Sequence, residues 1–127
     1  MPRILMIEDN EDNRDMLARR LRKRGFDVIL ACDGASGVEM TRTETPDLIL
    51  MDLNMPDLDG WEATRLLKAS AETSHIPIIA LTAHELPGNS ERLLAMGCAG
   101  YHPKPVQLPE LMSQIETILK NSRKTCT

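Results

Sequence analysis

The chain is 127 residues long, 42% hydrophobic and 27% charged, which fits one globular domain and leaves no room for two. A net charge of −4, from 15 Lys and Arg against 19 Asp and Glu, argues against a domain whose main work is neutralising nucleic-acid phosphates. No unbroken apolar run exceeds five residues, Val28 to Cys32, and runs such as Ile4 to Ile7 and Leu48 to Met51 are four, far short of the ~20 that cross a bilayer. The acidic stretch beginning at Glu8 leaves no space for the apolar core of a secretory signal, so a cytoplasmic location is expected.

In chain order, short β-leaning apolar runs alternate with helix-length segments of 3.6-type spacing. Arg3 to Ile7 is the first predicted strand. The helix after it, placed from Asn13 onward, carries Met16, Leu17 and Leu21 and stops at Gly25. Val28 to Ala31 is the second strand, and Asp33 is a fair N-cap for a helix with Val38 and Met40. Leu48 to Met51 forms the third strand, and after Asp59 a helix carries Trp61, Ala63, Leu66 and Leu67. Ile76 to Leu81 reads as the fourth strand, and a helix near Asn89 to Met96 ends before Gly97. Gly100 to His102 is the fifth strand. The last helix begins near Pro109 and places Leu111, Ile115, Ile118 and Leu119 on one broad face. Five strands alternating with five helices imply right-handed βαβ crossovers and a parallel sheet covered on both faces.

The three cysteines, Cys32, Cys98 and Cys126, include no CxxC pair, so neither a disulfide framework nor a zinc site is indicated. Cys32 and Cys98 read as small core fillers. The aromatic residues Phe26, Trp61 and Tyr101 are too few for base-stacking platforms.

In open parallel sheets, ligands bind beyond the carboxyl ends of the strands. The apolar runs end in polar residues: Glu8, Asp9 and Asn10 after the first, Asp52 and Asn54 after the third, Thr82 at the fourth, Lys104 after the fifth. If the sheet reverses direction at strand 1, strands 2 and 3 flank it. Acids from strands 1 and 3, about 4.8 Å apart, then converge on one oxygen-preferring cation. Glu8, Asp9 and Asp52 form such a cluster, and Mg²⁺ suits it, because the acids repel one another without a cation. Asp52 is the natural nucleophile toward a phosphoryl group, with Lys104 adding a fixed positive charge and the Thr82 hydroxyl a hydrogen bond.

IEDN at 7–10, LMDLNMPDLDG at 50–60, ALTAH at 80–84 and GYHPKP at 100–105 resemble the receiver domain of two-component response regulators, across residues 3 to about 120. The resemblance implies a flavodoxin-like, doubly wound five-stranded parallel sheet of order 2-1-3-4-5. It assigns Glu8 and Asp9 to a metal-site acidic pair, Asp52 to the phospho-acceptor, the Asn54 backbone carbonyl to a further metal ligand, Thr82 and Tyr101 to a switch, and Lys104 to phosphate binding. A cis peptide before Pro105 is implied as well. The expected partners are a phosphohistidine donor, either a histidine kinase or a histidine phosphotransfer protein, and a downstream protein target. The receiver is expected over 1–120, with a short polar tail at 121–127 and no output domain.

His102 and Pro103 depart from the usual pattern before the lysine, and His102 reads as a neutral imidazole packed at the strand end. Arg19, Arg20, Arg22, Lys23 and Arg24 suit a helix C-terminus, which favours cations, with docking of the phosphodonor as the other reading. A magnesium phosphohydrolase of the haloacid dehalogenase type is disfavoured, because its second aspartate is Asn54 here and cannot serve as a general acid. A flavin or nucleotide binder wants a glycine-rich or Ser/Thr-rich loop where this chain has Glu8 to Asp12.

Overall fold

The computed structural model describes residues 2–53, 60–82, 89–103 and 106–125. Strands β1 (Arg3–Ile7), β2 (Asp27–Ala31), β3 (Leu48–Asp52), β4 (Ile78–Thr82) and β5 (Gly100–Pro103) alternate with helices α1 (Glu11–Lys23), α2 (Gly34–Glu44), α3 (Gly60–Ala69), α4 (Asn89–Ala95) and α5 (Leu108–Thr125). The sheet is parallel throughout, in the order β2-β1-β3-β4-β5.

Period-2 alternation in strands apolar on both faces supplies two cores. Ile4, Met6, Leu48, Leu50, Ile79 and Leu81 pack with Leu17 and Leu21 of α1 and with Leu111 and Ile115 of α5. Leu5, Ile7, Ile49, Met51, Ile78 and Ala80 face the opposite way, onto Ala63 and Leu67 of α3 and Leu93 of α4. Helices on both faces leave the strand ends as the open rim of the sheet.

Several boundaries differ from the expectation for identifiable reasons. Helix α1 begins at Glu11 rather than after Asn13, because the Asn10 side chain accepts the Asn13 N–H at 3.0 Å and caps the first turn. Met16 lies off the buried stripe and is 46% exposed. Strand β4 begins at Ile78 rather than Ile76, since Pro77 has no N–H to give a ladder, and Ile76 instead donates to Thr73 O at 3.0 Å to close a turn. Asp52 and Pro103 extend β3 and β5 by a residue each. Helix α5 runs to Thr125 through the segment read as a polar tail from Asn121. Nothing between Glu110 and Thr125 is Gly or Pro, so polarity alone does not stop the helix. Asp33 caps α2 as expected, accepting the Ser36 N–H at 2.7 Å, a bond that holds its carboxyl below the usual range.

The basic end of α1 is partly structural. Arg22 donates to Val28 O at 2.9 Å, joining α1 to β2, and with Asp15, Arg19 and Lys23 it lines a shallow groove. Among the described residues no helix is long and apolar enough to cross a membrane.

The two described cysteines separate. Cys98 is a buried core filler, as expected, but Cys32, one residue past the end of the edge strand β2, is exposed. Burial pushes the Cys98 thiol up from 9.0 to about 11, against a smaller opposing pull from the Lys68 ammonium. In the native chain at pH 8, iodoacetamide is therefore expected to modify Cys32 and spare Cys98 until denaturant is added. Folding stability should fall as the pH climbs from 9.0 towards 11, because the unfolded thiol ionises first. Modification of Cys98 at the rate of Cys32, read by peptide mass, would contradict this placement.

Candidate functional site

Because all five strands are parallel, their carboxyl ends share one rim. Ile7 of β1 lies level with Met51 of β3, so Glu8 and Asp52 are the next residues along two adjacent strands. The Glu8 N–H donates to Ala31 O at 3.1 Å and the Leu53 N–H to Leu81 O at 3.0 Å, so ladder bonds hold the chain on the outer side of each acid. Both carboxylates are buried, each 1% exposed, whereas Asp9 is exposed. Asn10 already caps α1, which confines Asp9 to a short turn beside Glu8. The structure thus brings together the three acids singled out from sequence: one oxygen from each of Glu8, Asp9 and Asp52 lies within 4.8 Å of the others.

Two buried carboxylates and a third beside them repel strongly in a poorly solvated rim, and a cation between them reverses the sign of that interaction. An all-oxygen donor set of this kind fits a small hard divalent ion and not a soft one. Thr82, 4% exposed, ends β4 next to β3. Tyr101 pairs with Ala80 and packs, half-buried, against the core on the α3 and α4 side. Since side chains alternate along a strand, Thr82 and Tyr101 share that face. His102 points to the other face, buried as expected, and its Nε2 accepts the Gln107 N–H at 3.1 Å. Asn54 and Lys104 lie outside the described residues, as does the peptide before Pro105.

Two residues at this rim carried no sequence-based expectation of their own. The buried Gly60 begins α3 pressed against the end of β3, where a Cβ would collide with the Asp52 carbonyl oxygen. Its signal was the final glycine of the 50–60 motif, read only as part of the resemblance. Arg14, one turn into α1, donates to Glu8 O at 3.0 Å and braces the acidic turn from behind. No local pattern marks it. On the α3 and α4 side, the Arg92 guanidinium lies 4.3 Å from the centre of the Trp61 ring.

The response regulator receiver domain model matches residues 4–116. The chain belongs to the response regulator receiver family. It is 36% identical over 120 residues to the polar-differentiation response regulator DivK of Brucella anthropi, across 94% of this chain and 98% of that protein. Among solved structures, the Vibrio cholerae chemotaxis protein CheY4 superposes with a TM-score of 0.86 at 26% identity, covering 92% of this chain and 98% of that one. A response regulator receiver domain protein from Clostridium thermocellum reaches a TM-score of 0.89 at 26% identity over 100% of both chains. The family places the chain among signalling switches of two-component systems rather than classical enzymes. The flavodoxin-like order inferred from the motifs is the order observed.

Proposed function

We propose that the chain works as a response-regulator receiver, occupying 1–120, that accepts a phosphoryl group on Asp52 and signals through protein contacts. The observation that carries this reading is the convergence of Glu8, Asp9 and Asp52 within 4.8 Å at the rim of a receiver-family sheet. Asp52 Oδ attacks the phosphorus of a phosphohistidine on a histidine kinase or a histidine phosphotransfer protein. The phosphorus–nitrogen bond breaks, its electron pair returns to the imidazole nitrogen, and an aspartyl phosphate forms. Glu8, Asp9, Asp52 and the Asn54 backbone carbonyl are the residues that would hold Mg²⁺. When bound, the ion neutralises charge on the transferring oxygens. Lys104 supplies a second positive charge to the same oxygens, and the Thr82 hydroxyl donates to one of them. Tyr101, on the Thr82 face, turns inward as Thr82 is drawn to the phosphoryl group, which repacks the surface between α4 and β5 for a downstream protein. The domain works in the cytoplasm.

Only the folded chain presents the three acids together, so Mg²⁺ should raise the melting temperature by linkage and should be needed for labelling by acetyl phosphate. Asp9→Ala should abolish the thermal shift while the chain still folds, because Asp9 is exposed. Mass spectrometry of the acetyl phosphate reaction with and without Mg²⁺ tests the proposal. One added phosphoryl group that requires the metal is expected; labelling and melting both indifferent to Mg²⁺ would remove the metal role from the cluster.

A further inference from the structure

We infer that the outer face of α1 is a docking surface for a second copy of this chain, the two helices pairing antiparallel about a two-fold axis between Met16 and Arg19. Asp12, Met16, Arg19 and Lys23 recur at i, i+4, i+7 and i+11, which places them on one stripe of the helix, with Asp15 beside it. All five are exposed, on the side opposite the buried Leu17, Ala18 and Leu21. The stripe is acidic in its first half and basic in its second, with a methionine 46% exposed between the two. Turned end over end, such a stripe is complementary to itself: Asp12 of each copy meets Lys23 of the other, and Asp15 meets Arg19.

The helix dipole accounts for acids at the start of α1 and bases at its end. It does not account for an apolar side chain left in water between them. Nor are these charges spent within the chain. Among the described residues no ion pair includes Asp12, Asp15, Arg19 or Lys23, although Asp15 and Arg19 stand four residues apart, a spacing that lets side chains meet. Arg14 and Arg22 instead fix the helix in place, through Glu8 O and Val28 O, so the stripe is presented on a held element. Asp15, Arg19, Arg22 and Lys23 line a groove of ≈ 480 Å³. In the antiparallel pair, Met16 of one copy lies opposite Arg19 of the other and enters this groove over the aliphatic stem of that arginine. A uniformly acidic or uniformly basic partner complements only half of the stripe, whereas a second copy complements all of it. One 13-residue helix from each copy covers less than the ~1,200 Å² of the smallest stable interfaces. The dimer is therefore weak, with a Kd of about 0.1–1 mM, and sensitive to salt, because its ion pairs are exposed. It closes the outer face of α1, so any protein that docks there competes with the second copy. The pairing is independent of the phosphoryl chemistry proposed above.

Sedimentation of the full chain measures the pairing. At low salt the wild-type mass is expected to rise above the monomer's 14.2 kDa as protein goes from about 0.01 to about 1 mM, and to return to it at about 1 M NaCl, where charges are screened within ~3 Å. Two variants separate this face from any other. Asp12→Lys with Asp15→Lys makes the stripe basic throughout, and Arg19→Glu with Lys23→Glu makes it acidic throughout; all four positions are exposed, and circular dichroism checks the fold of each. Each variant alone is expected to stay monomeric, and an equimolar mixture to form the dimer. Met16→Ala in both should weaken the mixed dimer about tenfold, which bulk attraction between oppositely charged proteins would not do. A wild-type chain that stays at 14.2 kDa throughout would overturn the inference and leave the stripe to a different protein. A wild-type dimer whose swapped variants dimerise alone, or fail to pair when mixed, would overturn it too, because another face would then hold the two copies together.

Discussion

Asp52→Asn is expected to abolish labelling by acetyl phosphate, leave the fold intact and raise the melting temperature measured without metal. The amide keeps the shape of the carboxylate and removes both the nucleophile and one charge from a cluster whose oxygens lie within 4.8 Å of one another. Two unit charges at such a separation repel by about 3 kcal/mol at an effective dielectric near 20. Asp52 is 1% exposed and Glu8 beside it equally so, which leaves little solvent to screen them. Burying an amide in place of the carboxylate offsets part of the gain, so a net stabilisation of about 1 kcal/mol, a rise of several degrees, is the expected scale. The Mg²⁺ shift should shrink in the same variant, because one donor oxygen has lost its charge. Thermal melts and mass spectra on the same preparation read all three, and labelling of Asp52→Asn at the wild-type level would remove Asp52 from the chemistry.

Gly60→Ala is expected to be the most damaging small substitution at this rim. The added methyl would meet the Asp52 carbonyl oxygen, and Leu53 Cα stands only 2.5 Å away. Both obstacles are backbone, at the end of a strand buried on both faces, so neither can rotate aside. Overpacking against fixed backbone costs about 3 kcal/mol or more, a fall in melting temperature on the order of 10 °C for a domain this size. Relief can come only from moving α3 away from β3 or from shifting the segment that bears Asp52, so labelling should slow as well. Gly25→Ala is the useful contrast. It sits at φ 94° with open space around its Cβ position, so it should lose only about 1 kcal/mol, from backbone conformation alone. Equal melting temperatures for the two variants would contradict the close approach of α3 to Asp52.

Strand placement and the rim position of the candidate site residues were legible for the same reason. A strand buried on both faces must be a short apolar run, and a charged or hydroxyl residue directly after it has to emerge at the rim. Glu8, Asp52 and Thr82 are legible in this way from the order of residues alone. Helix starts were less legible, because both Asn10 and Asn13 are competent caps, and only the observed bond from the Asn13 N–H to the Asn10 side chain decides between them. Pro77 shortened β4 through a missing N–H that hydrophobic periodicity does not count. The exposure of Cys32 departs from the core position expected of it, because apolar character alone does not say which residue lies past the end of an edge strand. Gly60 and Arg14 act through contacts with Asp52 and the Glu8 carbonyl that no local pattern encodes. The burial of His102 agrees with its expected packing at the strand end, while its bond to Gln107 depends on how the chain returns to α5.

The most direct test of the account is to locate the phosphoryl group on the wild-type chain. The protein is treated with acetyl phosphate and Mg²⁺, the product is reduced with borohydride to convert any acyl phosphate to the corresponding alcohol, and the peptides are mapped by mass. A single reduced position, Asp52, is expected, and it should disappear when Mg²⁺ is chelated. Reduction at Asp9 or Glu8 in its place, or a phosphoryl group on a serine, threonine or histidine that survives with Asp52 unmodified, would contradict it.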